Sequence, residues 1–163
     1  MTEDALVFIG REGTHASETL RAHAGRLERR GAVESTHVVT YAEEPARELE
    51  DELRAVDATR VFVLPACIAH SRATTDVLPA VFSYLSGSVR YCEPIGRSPA
   101  LTRLIMQRAG AQLAETDDAT LVLVGQGSSS QPYNRQVTEY HASRIAEKSS
   151  YADVVTCYLL QNP

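Results

Sequence analysis

The chain lacks any apolar run near the eighteen or so residues that a membrane-spanning helix needs, so no membrane span is expected. Its start, Met1-Thr2-Glu3-Asp4, lacks the positive end of a signal peptide, and a cytoplasmic location is expected. The three cysteines, Cys67, Cys92 and Cys157, form no C-x-x-C pair, which excludes a zinc knuckle and a four-cysteine iron–sulfur site. Their odd number points to reduced thiols, and each reads as a small buried residue near a strand end. Lysine is nearly absent: Lys148 stands alone and the other basic residues are arginines, a bias of the host genome or its salt that carries no function. There is no excess of positive charge either. The net charge of −5 argues against binding a nucleic-acid backbone, yet it is too small to keep a chain unfolded. What remains is 163 residues, 44% of them hydrophobic, enough for one domain or one and a fraction with a buried core.

Apolar runs alternate with segments of helical spacing. Ala5 to Ile9, closed by Gly10, reads as a buried strand. Ser17 to Arg30 reads as a helix with Leu20, Ala24 and Leu27 on one face, ended by Gly31. His37 to Tyr41 is a second strand, and Pro45 opens a helix through Leu49, Leu53 and Val56. Arg60 to Leu64 is a third strand, Val77 to Leu85 a helix, and Val89 to Cys92 a fourth strand. Ser98 caps a helix that begins at Pro99 and runs to Leu113. Strands joined by single helices predict βαβ units: an α/β three-layer sandwich with a four-stranded, mainly parallel sheet.

After Glu115-Thr116-Asp117-Asp118 the pattern restarts. Thr120 to Val124 is a strand, Tyr133 to Lys148 a helix and Ala152 to Leu160 a strand. Leu6 to Gly10 echoes Leu121 to Gly125, an offset of 115, and His23 to Leu27 echoes His141 to Ile145, an offset of 118. Val38-Val39-Thr40 echoes Val154-Val155-Thr156. The expected organisation is a complete domain over residues 4–114 and the first half of a second copy over 119–163, cut from a longer protein.

Leu121-Val122-Leu123-Val124-Gly125-Gln126-Gly127-Ser128-Ser129, with Asn134 beyond it, resembles the opening of the CbiX-type chelatases, the sirohydrochlorin cobaltochelatase and ferrochelatase group. Those domains begin with a strand and Gly-His-Gly-Ser-Arg. Val61 to Pro65 and Asp76-Val77-Leu78-Pro79 are similar to their third strand and its following helix. Glu93-Pro94-Ile95-Gly96 with Pro99, Leu101 and Arg108 is similar to their Pro-Leu-Gly segment and closing helix. The resemblance implies insertion of a divalent metal, cobalt or iron as substrate, into a tetrapyrrole. In the family, histidines at the carboxyl ends of the first and third strands hold the metal. Such ligands must be neutral imidazoles, and strand carboxyl ends are where an open α/β sheet gathers ligand groups.

The chain departs from that pattern at both histidines. The first-strand position is Arg11 in one copy and Gln126 in the other; arginine cannot give up its proton to ligate a cation. The third-strand position falls on Ala73, with His70 three residues before it. His70 reads either as a displaced metal ligand and catalytic group or as a solvated loop histidine. His15 is a second candidate ligand, and Glu12 a candidate catalytic carboxylate; exposure is the plainer reading of each. Glu43 and Glu44 follow the second strand, where the family often has an acidic residue near its site, but acids at a helix start are common for dipole reasons alone, so neither is specific. His37 sits at the wrong strand end, and the matched His23 and His141 read as packing. Gln126 and Ser128 lie in a glycine turn that either cradles an anion or simply makes a tight strand-to-helix bend. Arg11, His15, Ser71 and Arg72 form the expected ligand-binding set, where the Gly10–His15 and Pro65–Thr75 loops meet; the two arginines suit tetrapyrrole carboxylates. The expected role is a chelatase-family domain with a degenerate metal site, or a non-catalytic tetrapyrrole- or small-ligand-binding domain. Its expected partners are a tetrapyrrole and either a second copy or the rest of a longer chain, with no nucleic acid or membrane.

Overall fold

A computed structural model describes residues 2–13, 16–112 and 117–160. The chain divides into two compact units, Met1–Cys67 with Arg72–Ile95, and Ile68–Ser71 with Gly96–Pro163. The helix expected to close the first domain clusters with the second unit.

The first unit is built on β1 (Thr2–Arg11), β2 (Ser35–Tyr41), β3 (Ala58–Pro65) and β4 (Ser88–Tyr91). All pair in parallel, in the order β2-β1-β3-β4. β1 is central, and its Ala5, Val7, Phe8 and Ile9 are buried, as a strand covered on both faces requires. The edge strand β4 is short and exposes Ser88 and Arg90, which discourages pairing with another chain. On one face, Val7, Ile9, Val39, Val61 and Val63 meet Leu49, Leu53, Val56, Leu78 and Val81 in one core.

Helix α1 (Ala16–Arg29) buries Ala24, with Leu20 and Leu27 half-buried beside it. It ends at Gly31, which takes φ +64°. The Ala32 amide bonds back to the Leu27 carbonyl and the Gly31 amide to that of Glu28, closing the last turn. The helix expected after Pro45 is two pieces, α2 (Pro45–Glu48) and α3 (Glu50–Arg54), bent at the fully buried Leu49. After β3 the expected helix starts earlier and is less regular. A widened π turn, Ala73–Val77, leads into α4 (Leu78–Val81) and a 3₁₀ turn, Phe82–Tyr84. Pro79 explains the widening, since it offers no N–H to the preceding turn and crowds its carbonyl. The Tyr91 hydroxyl donates to the Thr74 carbonyl at 2.7 Å and ties this turn to β4.

The second unit holds α5 (Pro99–Gln112), β5 (Thr120–Gly127), α6 (Tyr133–Ala146) and β6 (Asp153–Leu160), with β5 and β6 parallel. Leu6 pairs with Thr36 and Leu121 with Val154. With Leu6 and Leu121 equated, Thr36 matches Val154, so the echo between Val38 and Val154 is slipped by two residues. A two-residue slip keeps every side chain on its own face. α6 packs on one face of this pair; the other exposes Val122, Val124, Val155, Cys157 and Leu159. Cys157 is thus not the buried residue expected.

The matched histidines also part company. His23 is exposed and bonds the Arg26 side chain, so its expected packing role does not hold. His141 is buried: its Nε2–H donates to the Gly96 carbonyl at 2.6 Å, and the Thr102 hydroxyl lies 2.8 Å from Nδ1. The carbonyl requires a proton on Nε2, and the Thr102 contact ties α5 to α6. Gly96 has no room for a Cβ, which would overlap the Ile68 carbonyl. Among the described residues no helix is long and apolar enough to cross a membrane.

Two stability tests follow from this packing. Leu53→Ala should cost about 2–5 kcal/mol by urea denaturation, whereas Leu104→Ala, at a 46% exposed position, should cost under about 1 kcal/mol. Thr102→Val strands the buried Nδ1 of His141 and should cost about 1–3 kcal/mol. A loss no larger than that at Leu104 would show that the Thr102–His141 bond contributes nothing to the second unit.

Candidate functional site

Parallel pairing puts the carboxyl ends of β1 and β2 side by side, with Arg11 opposite Tyr41. The Glu12 amide donates to the Tyr41 carbonyl at 2.8 Å, extending the pairing past the strand. Arg11 Nη2 donates to the Ala42 carbonyl at 2.9 Å. Around these groups opens a cleft of about 640 Å³, lined by Arg11, Glu12, Gly13, Ser17, Ala42 and Glu43. Among the described residues its charged groups are one guanidinium and two carboxylates. Burial pushes the Tyr41 phenol up, partly offset by the Arg11 charge. Among the described residues no three His, Cys, Asp or Glu side chains converge to hold a metal ion.

The remaining described candidates are not among the residues lining this cleft. Arg72 belongs to the same unit but does not line the cleft; it faces Asp76 at 3.7 Å, an exposed pair one helical turn apart. His70 and Ser71 belong to the second unit. There the half-buried His70 ring meets the Tyr133 ring edge-on, with centroids 5.9 Å apart. Tyr133 opens α6, the helix that follows Gln126 and Ser128. His70 is therefore grouped with the residues of the second glycine turn and not with Arg11 and Glu12. His15 lies outside the described residues.

Gln126 is an exposed residue within β5, not a loop residue. The Ser128 hydroxyl accepts from the amides of Ser130 at 3.3 Å and Gln131 at 3.1 Å, so two amides that would cradle an anion are already bonded. Gly127 takes φ +73°, and a Cβ there would overlap the Leu160 carbonyl. The glycine turn is thus accounted for by tight packing of strand against strand.

Two cysteines near the strand ends are held as thiols. Burial raises Cys67 to about 11 and pushes Cys92 up as well, so neither offers a thiolate near neutrality. One residue escaped the sequence reading altogether. The Glu48 carboxylate accepts three successive main-chain amides, from Ala42 at 2.7 Å, Glu43 at 2.9 Å and Glu44 at 2.5 Å. These bonds hold its carboxyl below the usual carboxylate range. The available signal was an acid in the first turn of a helix opened by Pro45, which reads equally well as an ordinary dipole partner.

Comparison with known proteins agrees with this architecture. The CbiX family profile matches residues 5–112. A Halobacterium salinarum protein described as a probable sirohydrochlorin cobaltochelatase is 24% identical over 190 residues, covering 98% of this chain and 64% of that protein. A multi-domain protein of Deinococcus radiodurans with structural similarity to chelatases superposes with a TM-score of 0.76 at 22% identity, over 99% of this chain and 39% of that one. SirB from Bacillus subtilis, solved with Fe3+, superposes with a TM-score of 0.76 at 18% identity, over 99% of this chain and 68% of that one. At these identities the solved structures speak for the fold alone. The chain spans under two thirds of the length of the Halobacterium and Deinococcus proteins. From its first strand to the end of α5, with the strand-end cleft between, this chain belongs to the CbiX family.

Proposed function

We propose that the chain serves tetrapyrrole metallation as the substrate-holding part of a cytoplasmic CbiX-type chelatase, with a divalent metal such as cobalt or iron as the second substrate. The observation that carries this reading is Arg11. It ends the central strand, where the family resemblance calls for a metal-holding histidine, and it lines the cleft at the ends of β1 and β2. A guanidinium repels a cation but pairs with a carboxylate through two parallel hydrogen bonds. Tetrapyrrole intermediates carry acetate and propionate side chains, so an arginine here turns a metal position into a substrate anchor. One donor of Arg11 is spent on the Ala42 carbonyl, which orients the plane of the group and leaves its other edge for a ligand. Glu12 and Glu43 on the rim are exposed, and solvent screens their repulsion of an incoming acid.

His70, Glu12 and His15 remain the candidates for proton transfer and metal contact in a catalytic version of this reading. In the non-catalytic version the chain binds the tetrapyrrole, and another copy or a further part of a longer chain supplies the metal ligands. The non-catalytic version is favoured by Arg11 and by the position of His70 against Tyr133. The chain alone is expected to insert cobalt into sirohydrochlorin poorly. Turnover that is rapid and abolished by His70→Ala would overturn that expectation.

Binding gives a second test. Uroporphyrin, a porphyrin with eight carboxylates, should bind the wild type about tenfold more tightly than Arg11→Ala, the worth of one charge-assisted pairing. Equal affinity would remove Arg11 from the site.

The second unit adds a proposal about partners. Its two-stranded sheet leaves Val122, Val124, Val155 and Leu159 on a bare face, which another copy or further chain would cover. Light scattering should report self-association that weakens in a Val122→Ser, Val155→Ser double variant. A monomer at high concentration would count against the homo-oligomer.

A further inference from the structure

We propose that Glu48 is a positioning residue for the strand-end cleft: by holding the turn after β2 it fixes the Ala42 carbonyl that orients Arg11, and so sets the cleft's affinity for carboxylates. The proposal rests on the reading of Arg11 as a substrate anchor.

The argument starts from Ala42, whose two peptide groups face opposite partners. Its N–H goes to Glu48 Oε2 at 2.7 Å, and its carbonyl accepts from Arg11 Nη2 at 2.9 Å. Glu48 Oε1 takes the next two amides, those of Glu43 and Glu44. Three consecutive N–H groups turned toward one point form a concavity suited to an anion, and here the protein supplies its own. Ala42 and Glu43 line the cleft beside Arg11. Glu48 does not; it lies among Ala42, Glu43, Glu44 and Arg47. It therefore reaches the ligand only through main chain, as a carboxylate bonded to the peptide that Arg11 reads from the other side.

Among the described residues the charged groups near this turn are Arg11 at the end of β1, Glu12 after it, Glu43 and Glu44 within the turn, and Arg47 on the same helix as Glu48. Arg47 faces Glu44 at 4.0 Å. The amide bonds lower the Glu48 carboxyl below the usual range. A depressed carboxyl contributes its stabilisation above the unfolded-chain value and loses it as pH falls through the folded value. The latch is thus closed at neutral and mildly acid pH and opens only in stronger acid.

Uroporphyrin titrations of the wild type, Glu48→Ala, Glu48→Gln and Arg11→Ala test the proposal. Glu48→Ala should weaken binding about tenfold, and added formate should restore part of it by occupying the three vacated amides. Glu48→Gln, whose amide group cannot accept the second oxygen's bond, should fall between the two. Formate should do nothing for Arg11→Ala, and the double variant should be no weaker than the worse single one. If Arg11→Ala weakens binding and both Glu48 variants bind as the wild type does, the anchor stands and the positioning role falls. If Arg11→Ala binds as the wild type does, the anchor reading fails instead. The ligand-free protein decides the positioning role in either case. In ¹⁵N spectra, acid should move the Ala42, Glu43 and Glu44 amide signals and the Arg11 guanidinium signal together, and Glu48→Gln should shift the Arg11 signal at neutral pH. An Arg11 signal indifferent to both would overturn the proposal.

Discussion

Parallel pairing along β1 is the constraint on which the first unit depends. The strand bonds to β2 on one side and β3 on the other, so it has no free edge and no polar face. Its residues must be apolar on both faces, and Ala5, Val7, Phe8 and Ile9 meet that demand. Because all three strands run the same way, their carboxyl ends come together, and the first polar residues after each apolar run are gathered at one end of the sheet. The position of Arg11 beside the turn after β2 is a direct consequence of that register.

The cleft at those strand ends is made of short-range main-chain bonds rather than of a rigid side-chain cluster. Glu12 continues the strand pairing to Tyr41, Arg11 reads the Ala42 carbonyl, and Glu48 gathers the three amides that follow. Each bond joins residues far apart in sequence or across a turn, so the cleft is as precise as the turn that forms its wall. On the reading proposed for Arg11, the family's metal position is re-used for a carboxylate. Changing a neutral ligand to a guanidinium inverts the charge the position attracts while leaving the fold that presents it intact.

In the second unit the same strand–helix–strand pattern is covered on one face only. With Leu6 and Leu121 equated, Val122 and Val124 correspond to Val7 and Ile9, but here they are exposed, as are Cys157 and Leu159 on the neighbouring strand. In the first unit the corresponding face is covered by the segments carrying Leu49, Leu53, Val56 and Leu78, all of which follow β2. In the proposed partner reading, another copy or further chain covers this bare face.

The order of elements was legible in the sequence, because apolar runs of strand length and helical spacing are local signals with local causes. So were the stop at Gly31, the start at Pro99 and the family resemblance. Arg11 was legible as a departure, since its chemistry excludes a ligand role whatever surrounds it. The grouping of the candidates was not. Arg11 ends one strand and His70 follows another, yet they belong to different compact units, and only tertiary packing assigns the Ile68–Ser71 segment to the second. The fates of His23 and His141 were equally hidden, for matched positions in two helices meet different neighbours. Glu48 is the clearest case. A carboxylate in the first turn of a helix is ordinary in sequence, and only the curl of the chain after β2 brings three amides onto it. Sequence determines what each segment is apt to form; which polar groups meet is decided by how the segments close on one another.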